Sequence, residues 1–197
     1  MSNPNHPKKG DMIKVDPIRD VRDIKNIKRL LADKPRDLAI FVVGINTNLR
    51  ASDLLKIKVG QVRHLGSGEH FSIREKKTQK LKDITINVSV AKVIQNLLAT
   101  MPDASDESYL FQSRKGSKPI GVSTLHNMVQ AWGKECNVKS KLGSHSLRKT
   151  FGFIHRTVFG TDIPTLMLMF NHSTQRQTLT YLGIQAEEIK DAYLREI

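Results

Sequence analysis

The sequence predicts a mainly α-helical domain with a small antiparallel β-sheet inserted early in the chain, an α+β fold. Two observations carry this prediction. Apolar residues recur every three or four positions over most of the chain, but they alternate with polar residues between about 71 and 88. The length of 197 residues fits one domain, or two small ones at most, and 39% hydrophobic residues is ordinary for a protein with a packed core.

The chain is expected to begin with a flexible polar tail over residues 1–15, followed by the folded domain over residues 16–197. The tail is rich in Pro, Lys and Asn. Two amphipathic helices should follow, because apolar residues then recur at helical spacing: Val21, Ile24, Ile27 and Leu31, then Leu38, Phe41, Val42 and Ile45. A short third helix contains Leu54 and Leu55, and Ser52 is its expected cap.

The period changes to two in the middle of the chain. Apolar and polar residues alternate in HFSIRE and again in DITINV, on both sides of KKTQKLK. This pattern predicts a β-hairpin with a basic tip, and a third strand is expected near Gln61 to His64. Helices are expected again at about 90–100, 122–135, 145–158, 162–170, 174–182 and 185–195.

The charge balance favours a polyanionic partner. Thirty-two Lys and Arg against nineteen Asp and Glu leave a net charge of +13, and each neutralised phosphate releases a counterion. The single cysteine, Cys136, excludes an internal disulfide and a four-cysteine zinc site. The longest apolar run, LAIFVVGI, is too short to span a bilayer, and the stretch MSNPNHPKKGD lacks the apolar region of a secretory signal. A cytoplasmic protein without membrane contact is therefore expected.

Four segments carry candidate functional residues, and each segment alone also has an ordinary structural explanation. Arg50 stands between two helices and could simply pair with Asp53. In GSHSLRKTF, His145 and Arg148 share one helical face, either as a phosphate site or as two unrelated basic residues. The hairpin tip carries a run that could be merely solvated, Lys76, Lys77, Lys80 and Lys82. In FNHSTQRQTLTYL, a histidine in a turn precedes a tyrosine by nine residues: His172 and Tyr181.

Taken together and in this order, these segments resemble the catalytic domain of the tyrosine recombinase (phage integrase) family over roughly residues 20–195. NLRASDLL resembles the segment of the first catalytic arginine, KKT the hairpin lysine, SHSLRKTF the His-x-x-Arg box and FNHSTQRQTLTY the closing segment. The implied catalytic residues are Arg50, Lys77, His145, Arg148, His172 and the nucleophile Tyr181, with Asp53 in support. Further contacts to DNA are expected from Lys76, Lys80, Lys82 and Lys149.

The resemblance implies a site-specific DNA recombinase that cleaves and rejoins strands through a 3′-phosphotyrosyl intermediate, without metal, ATP or another cofactor. It implies that the Tyr181 hydroxyl attacks a phosphate whose oxygens are held by Arg50 and Arg148. His145 would accept the tyrosine proton, Lys77 would protonate the leaving 5′-oxygen, and His172 would donate to a non-bridging oxygen. The implied partners are double-stranded DNA and further copies of this chain, a dimer per site and a tetramer per synapse, associated with the nucleoid.

The sequence departs from the family pattern in two places. Asn171 stands where the family usually has glycine. These 197 residues include no segment that corresponds to the N-terminal core-binding domain of about a hundred residues that many relatives carry. The chain is accordingly expected to be either an excised catalytic domain or a single-domain member like the fimbrial phase-switch recombinases. Two other functions stay open: topoisomerase IB-like nicking and religation, and a non-catalytic basic DNA-binding regulator.

The end of the sequence is expected to form a helix. Within residues 185–197, Ile189, Tyr193 and Ile197 recur every four positions and form a narrow apolar stripe. In the free monomer this helix is expected to pack on its own domain. On DNA, by resemblance to the family, it is expected to dock on a neighbouring protomer.

Overall fold

The computed structural model describes residues 15–114, 116–183, 190 and 193–196. It confirms a mainly helical fold with a small antiparallel sheet. The elements, in chain order, are α1 (Val21–Leu30), α2 (Pro35–Asn46), α3 (Ala51–Leu54), α4 (Val59–Val62), β1 (His70–Arg74), β2 (Leu81–Thr85), α5 (Val88–Leu98), α6 (Val122–Glu135), α7 (Ser144–Thr157), α8 (Ile163–Phe170) and α9 (Gln175–Leu182).

Helix α2 lies at the centre of the core. Its residues from Ala39 to Gly44 are all buried, which is typical of a helix covered on every side. It packs against both α5 and α7, and the Phe41 ring meets the edge of Trp132 at a centroid distance of 6.1 Å. Because α2 ends beside α7, the segment that follows it brings Arg50 close to the His145–Arg148 face.

The two strands pair antiparallel in a register that decides which hairpin residues face the core. Phe71 pairs with Ile84, and Ile73 pairs with Lys82. Directly paired residues project from the same face of a sheet. Since Ile73 is buried, Lys82 lies on the core-facing side of the hairpin and not at its exposed tip.

Three details of the predicted secondary structure are wrong. The second strand ends at Thr85, because the Asn87 side chain accepts a hydrogen bond from Val90 and starts α5 there. The segment expected to form a third strand instead forms α4, whose Gln61 side chain accepts from the backbone of Lys58. Ser52 does not cap α3, because that helix begins one residue earlier with Arg50 in the cap position.

The described part of the N-terminal segment is extended and packed. Val15 is buried, the Asp16 amide donates to the Lys141 carbonyl, and the Ile18 amide donates to Thr150 Oγ1 at 2.8 Å. Of the predicted tail over residues 1–15, only Val15 is among the described residues.

Most of the predicted terminal helix also lies outside the described residues. Tyr193 is described and is 87% exposed, so the packing expected for its side chain is wrong. Among the described residues, no helix combines the length and apolar character needed to cross a membrane.

Candidate active site

Helix α7 presents His145 and Arg148 from its first two turns. The helix begins after Gly143, whose amide donates to Ser146 Oγ at 3.0 Å. A side chain at position 143 would collide with the His126 ring, because an added Cβ would lie 2.5 Å from His126 Cε1. Arg148 is buried, whereas part of the His145 side chain remains exposed to solvent. The predicted spacing thus puts one buried and one accessible basic group at the same end of α7.

Arg148 and Arg50 form a pair of neighbouring cations, of which Arg148 keeps an unused donor. Arg148 Nη2 donates to the Phe170 carbonyl at 3.1 Å, and the guanidinium lies 5.1 Å from the centroid of the Phe170 ring. Arg148 Nη1 is buried without a hydrogen-bond partner among the described residues. Burial, together with the neighbouring positive charge of Arg50, lowers the pKa of Arg148. Two like charges held together with an unused donor form a natural site for an anion.

Glu75 is the partner of Arg50, and the alternative pairing of Arg50 with Asp53 is not observed. Arg50 Nη1 lies 2.6 Å from Glu75 Oε1, although this nitrogen makes no aligned hydrogen bond. Thr78 Oγ1 donates to the other carboxylate oxygen at 2.6 Å. Burial alone would raise the pKa of Glu75, but the close contact with the Arg50 guanidinium and the hydrogen bond from Thr78 outweigh it and lower the pKa. Glu75 is not among the residues predicted from the sequence, where its only signal is an acidic residue beside a basic run.

Asp53 contacts the hairpin. It is buried, and its Oδ1 accepts a hydrogen bond from the Lys76 backbone amide at 3.1 Å and from Ser52 Oγ at 3.3 Å. Its second oxygen, Oδ2, is buried without a partner among the described residues. Asp53 therefore holds the start of the turn between β1 and β2 against α3.

The four hairpin lysines occupy two different environments. Lys76, Lys77 and Lys80 are exposed on the turn. Lys82 is half-buried, and its Nζ donates to the Met169 carbonyl at 2.9 Å and to the Asn48 carbonyl at 3.4 Å. Burial, followed by the positive charge of Arg148, lowers the pKa of Lys82 to about 8. The structure thus brings Lys82 to the arginine pair and leaves Lys77 on the exposed turn.

His172 lies in the turn that follows α8. Helix α8 ends at Asn171, which adopts the left-handed conformation with φ 56° and ψ 48°. Asparagine tolerates this conformation better than most residues, so it can replace the usual glycine. The His172 ring stacks on Phe170 at 5.2 Å, and its Nδ1 lies 3.0 Å from Thr178 Oγ1 on α9.

Tyr181 lies on α9 against the same aromatic group. Its ring is 5.2 Å from Phe170 and 5.4 Å from His172 between centroids, and Lys149 Nζ lies 5.2 Å from its centroid. Burial raises the pKa of the Tyr181 hydroxyl, while Arg148 and Arg50 offset part of this increase. The hydroxyl is therefore neutral at physiological pH and must lose its proton to act as a nucleophile.

Both histidines are neutral near pH 7. Burial, then Arg148 and Arg50, lower the pKa of His172 to about 4. Although part of the His145 side chain is exposed, partial burial of its ring lowers the pKa of His145 most, and the positive charges of Arg148, Lys149 and Arg50 lower it further. An imidazole held neutral by nearby cations can accept a proton from a neighbouring hydroxyl. Among the described residues, no group of three or more His, Cys, Asp and Glu side chains could hold a metal ion.

The sequence matches a known protein family and curated relatives. The model of the phage integrase family matches residues 19–188. The probable integrase/recombinase YoeC of Bacillus subtilis (strain 168) is 34% identical over 182 residues, which are 91% of this chain and 95% of YoeC.

Solved structures share the fold. The crystal structure of XerA recombinase matches with a TM-score of 0.74 and 20% identity, over 93% of this chain and 67% of that chain. The XerH site-specific recombinase bound to a palindromic difH substrate, in a post-cleavage complex, matches with a TM-score of 0.70 and 15% identity, over 91% of this chain and 53% of that chain.

The chain spans nearly the whole of YoeC but only about half of other curated relatives, 44% of a XerC and 58% of a XerA. The family model covers most of the chain, and YoeC is a relative of similar length. Both indicate the same family. The chain belongs to the phage integrase family.

Proposed function

We propose that this protein is a site-specific DNA recombinase that cleaves and rejoins DNA strands through a covalent bond between Tyr181 and a 3′-phosphate. One observation carries the proposal. Arg148 holds a buried Nη1 without a hydrogen-bond partner among the described residues, and Arg50, whose Nη1 faces Glu75, adds a second positive charge; both charges offset part of the rise that burial causes in the pKa of the Tyr181 hydroxyl. A phosphodiester bound by these two guanidinium groups would bring its phosphorus close to the tyrosine oxygen.

In the first chemical step, Tyr181 Oη attacks the phosphorus, the new P–O bond forms, and the bond to the 5′-oxygen breaks. His145 is the proposed acceptor of the tyrosine proton, because its imidazole is neutral near pH 7. The leaving 5′-oxygen takes up a proton, for which Lys77 on the hairpin turn is the proposed donor. The 5′-hydroxyl of another DNA end then attacks the phosphotyrosine and regenerates the tyrosine, so no external energy source is consumed.

The two arginines stabilise the charge that develops on the phosphate oxygens. Guanidinium forks can each donate two hydrogen bonds to a phosphate, and they work best where water is excluded. His172 is proposed to donate through Nε2 to a non-bridging oxygen, in the neutral tautomer whose Nδ1 accepts a hydrogen bond from the Thr178 hydroxyl. Asp53 supports the site by holding the hairpin turn.

Double-stranded DNA is the proposed substrate, which would associate the protein with the nucleoid. The net charge of +13 favours a polyanion, and the XerH relative was solved on a difH substrate. We propose that Lys76, Lys80 and Lys149 contribute phosphate contacts. A dimer per site and a tetramer per synapse are proposed as the working assemblies, with the segment 185–197 docking on the neighbouring protomer.

The experiment that tests this function does not require the DNA site in advance. The protein is incubated with a randomised library of nicked duplexes, in which cleavage beside the nick releases a short oligonucleotide and prevents religation. DNA that stays bound after denaturation is recovered and sequenced. We expect a covalent adduct enriched in one sequence, and plasmids carrying that sequence should then recombine.

Other outcomes point to the other functions. An adduct without sequence enrichment, with relaxation of supercoiled plasmid and no recombinant product, would indicate a topoisomerase-like activity. Tight DNA binding with no adduct on any library member would indicate a non-catalytic regulator.

A further inference from the structure

The end of α8 determines where the His172 turn lies, and its carbonyl groups need donors from outside the helix. The last four carbonyls of any α-helix have no partner within the helix. The turn itself supplies two donors in α8: the Asn171 amide donates to the Leu168 carbonyl at 3.1 Å, and the His172 amide donates to the Met167 carbonyl at 2.9 Å.

The other two carbonyls are bound by side chains from three different elements. The Met169 carbonyl accepts from Lys82 Nζ at 2.9 Å and from Asn48 Nδ2 at 2.6 Å, so both of its lone pairs are engaged. The Phe170 carbonyl accepts from Arg148 Nη2 at 3.1 Å. Strand β2, the segment between α2 and α3, and helix α7 therefore all meet at this helix end.

The two cations also meet an electrostatic need. The C-terminus of a helix carries a partial negative charge, which cations stabilise and which repels anions. Helix α8 has no basic residue of its own in its last turn. Lys82 and Arg148 supply the missing positive charge by donating to the Met169 and Phe170 carbonyls.

We propose that Lys82 is a positioning residue of the active site, whose ammonium group holds the end of α8 and thereby sets the positions of His172 and Tyr181. The connection to the reaction is short. The α8 end continues through Asn171 into His172, whose ring contacts both Phe170 and Tyr181. This inference rests on the proposed recombinase function, and it gives Lys82 a role within the protein in place of the predicted contact to DNA.

The role of Lys82 depends on its charge and therefore on pH. The charged groups that act on its ammonium are Arg148 from α7, Arg50 and Asp53 from the start of α3, and Glu75 from the end of β1. Burial and Arg148 lower its pKa to about 8. In the protein without DNA, the ammonium charge is thus present below pH 8 and is lost as the pH rises through that value.

Two variants at position 82 separate charge from packing. Lys82→Met keeps the length of the chain and removes the charge, while Lys82→Arg keeps a charge that does not titrate below pH 12. The side chain lines a cleft of about 380 Å³ that leaves room for the larger guanidinium. The matched control is Lys92→Met, which removes one exposed charge on α5.

The first measurement uses the free protein. Hydrogen exchange of the Asn171 and His172 amides reports the integrity of the α8 end directly. We expect Lys82→Met to accelerate exchange of both amides by about tenfold or more, with wild-type rates in Lys82→Arg and Lys92→Met. Unchanged exchange in Lys82→Met would overturn the positioning role, whether or not the protein cleaves DNA.

The second measurement is single-turnover cleavage of the nicked duplex selected from the library. We expect Lys82→Met to cleave about 10- to 100-fold more slowly, with DNA affinity within about threefold of wild type. At limiting DNA, the pH dependence of the cleavage rate reports the ionisation of groups in the free protein. The wild-type rate should therefore fall above about pH 8, whereas the rate of Lys82→Arg should not fall until a higher pH.

Two results would contradict the proposal. One is cleavage by Lys82→Met at the wild-type rate. The other is a cleavage rate of Lys82→Arg that falls above about pH 8 just as the wild-type rate does. The second result stays informative if Lys82→Met does not fold. A wild-type protein that forms no adduct at all would instead refute the recombinase function and leave the exchange result to decide the role of Lys82.

Discussion

Gly152 allows α7 to pack closely against the segment that carries Tyr181. A Cβ added at this position would lie 2.5 Å from Leu182 Cδ2 and 2.6 Å from Phe170 Cζ. Contacts this short force the buried Leu182 side chain and the Phe170 ring to move. Since Leu182 follows the proposed nucleophile and Phe170 supports the His172 ring, Gly152→Ala should disturb the active site as well as the core.

The sign of the stability change distinguishes this explanation from ordinary helix propensity. In an open helix interior, Gly→Ala stabilises by roughly 0.5–1 kcal/mol. Overpacking a well-packed core costs about 1–3 kcal/mol. The net expectation for Gly152→Ala is therefore a destabilisation of about 1–2 kcal/mol, which lowers the melting temperature by about 2–8 °C for a domain of this size.

Thermal unfolding and single-turnover cleavage measure the two effects. We expect cleavage by Gly152→Ala to slow by about tenfold or more, because the displaced Leu182 side chain and Phe170 ring adjoin Tyr181 and His172. The control is Gly66→Ala, where an added Cβ comes no closer than 3.4 Å to another atom, Glu69 Oε2. A higher melting temperature in Gly152→Ala than in wild type would refute the close packing of α7 on α9.

Four further predictions concern the site itself. Arg148→Ala and Arg50→Ala should each slow cleavage by about two orders of magnitude, and equal rates at saturating DNA would remove them from the site. Lys77→Ala should be rescued by a substrate with a 5′-thiol leaving group, because a thiolate needs no proton donor; a failed rescue would exclude Lys77 as that donor. The pKa of His172 is lowered from 6.5 to about 4, so the unfolded chain binds the extra proton and stability falls as the pH drops from about 6.5 to 4. Urea unfolding across this range should show a weaker pH dependence in His172→Gln. Glu75→Gln should bind inorganic vanadate more tightly than wild type, because it frees Arg50 from a carboxylate at 2.6 Å; equal affinity would mean that Glu75 does not compete with the phosphate.

The sequence predicted the parts of this structure that depend on local pattern. The sequence correctly predicted the helix around Ile24 and Ile27 and the strands around Phe71 and Ile84. When one face of a helix or strand is buried, its apolar residues recur with the period of that element. The three-residue interval between His145 and Arg148 correctly put both residues at the start of α7.

What the sequence did not predict depends on register and on contacts between distant segments. Lys82 looked like one more lysine of a basic tip, and only the pairing of Ile73 with Lys82 turns it towards the core. Glu75 and the Met169 carbonyl belong to the site only through contacts between distant segments of the folded chain. Glu75 pairs with Arg50, and the Met169 carbonyl accepts from Lys82. The pattern of apolar residues within one segment does not show which carbonyl group of another segment its side chains will contact.

The most direct test of the central claim is identification of the amino acid bonded to DNA. The adduct formed on the selected nicked duplex is digested with nuclease and protease, and the modified peptide is sequenced by mass spectrometry. A recombinase acting through the site described above predicts a nucleotide phosphate on Tyr181, and loss of the adduct in Tyr181→Phe with DNA affinity nearly unchanged. An adduct on Tyr193 or Tyr109, or one that survives in Tyr181→Phe, would contradict it.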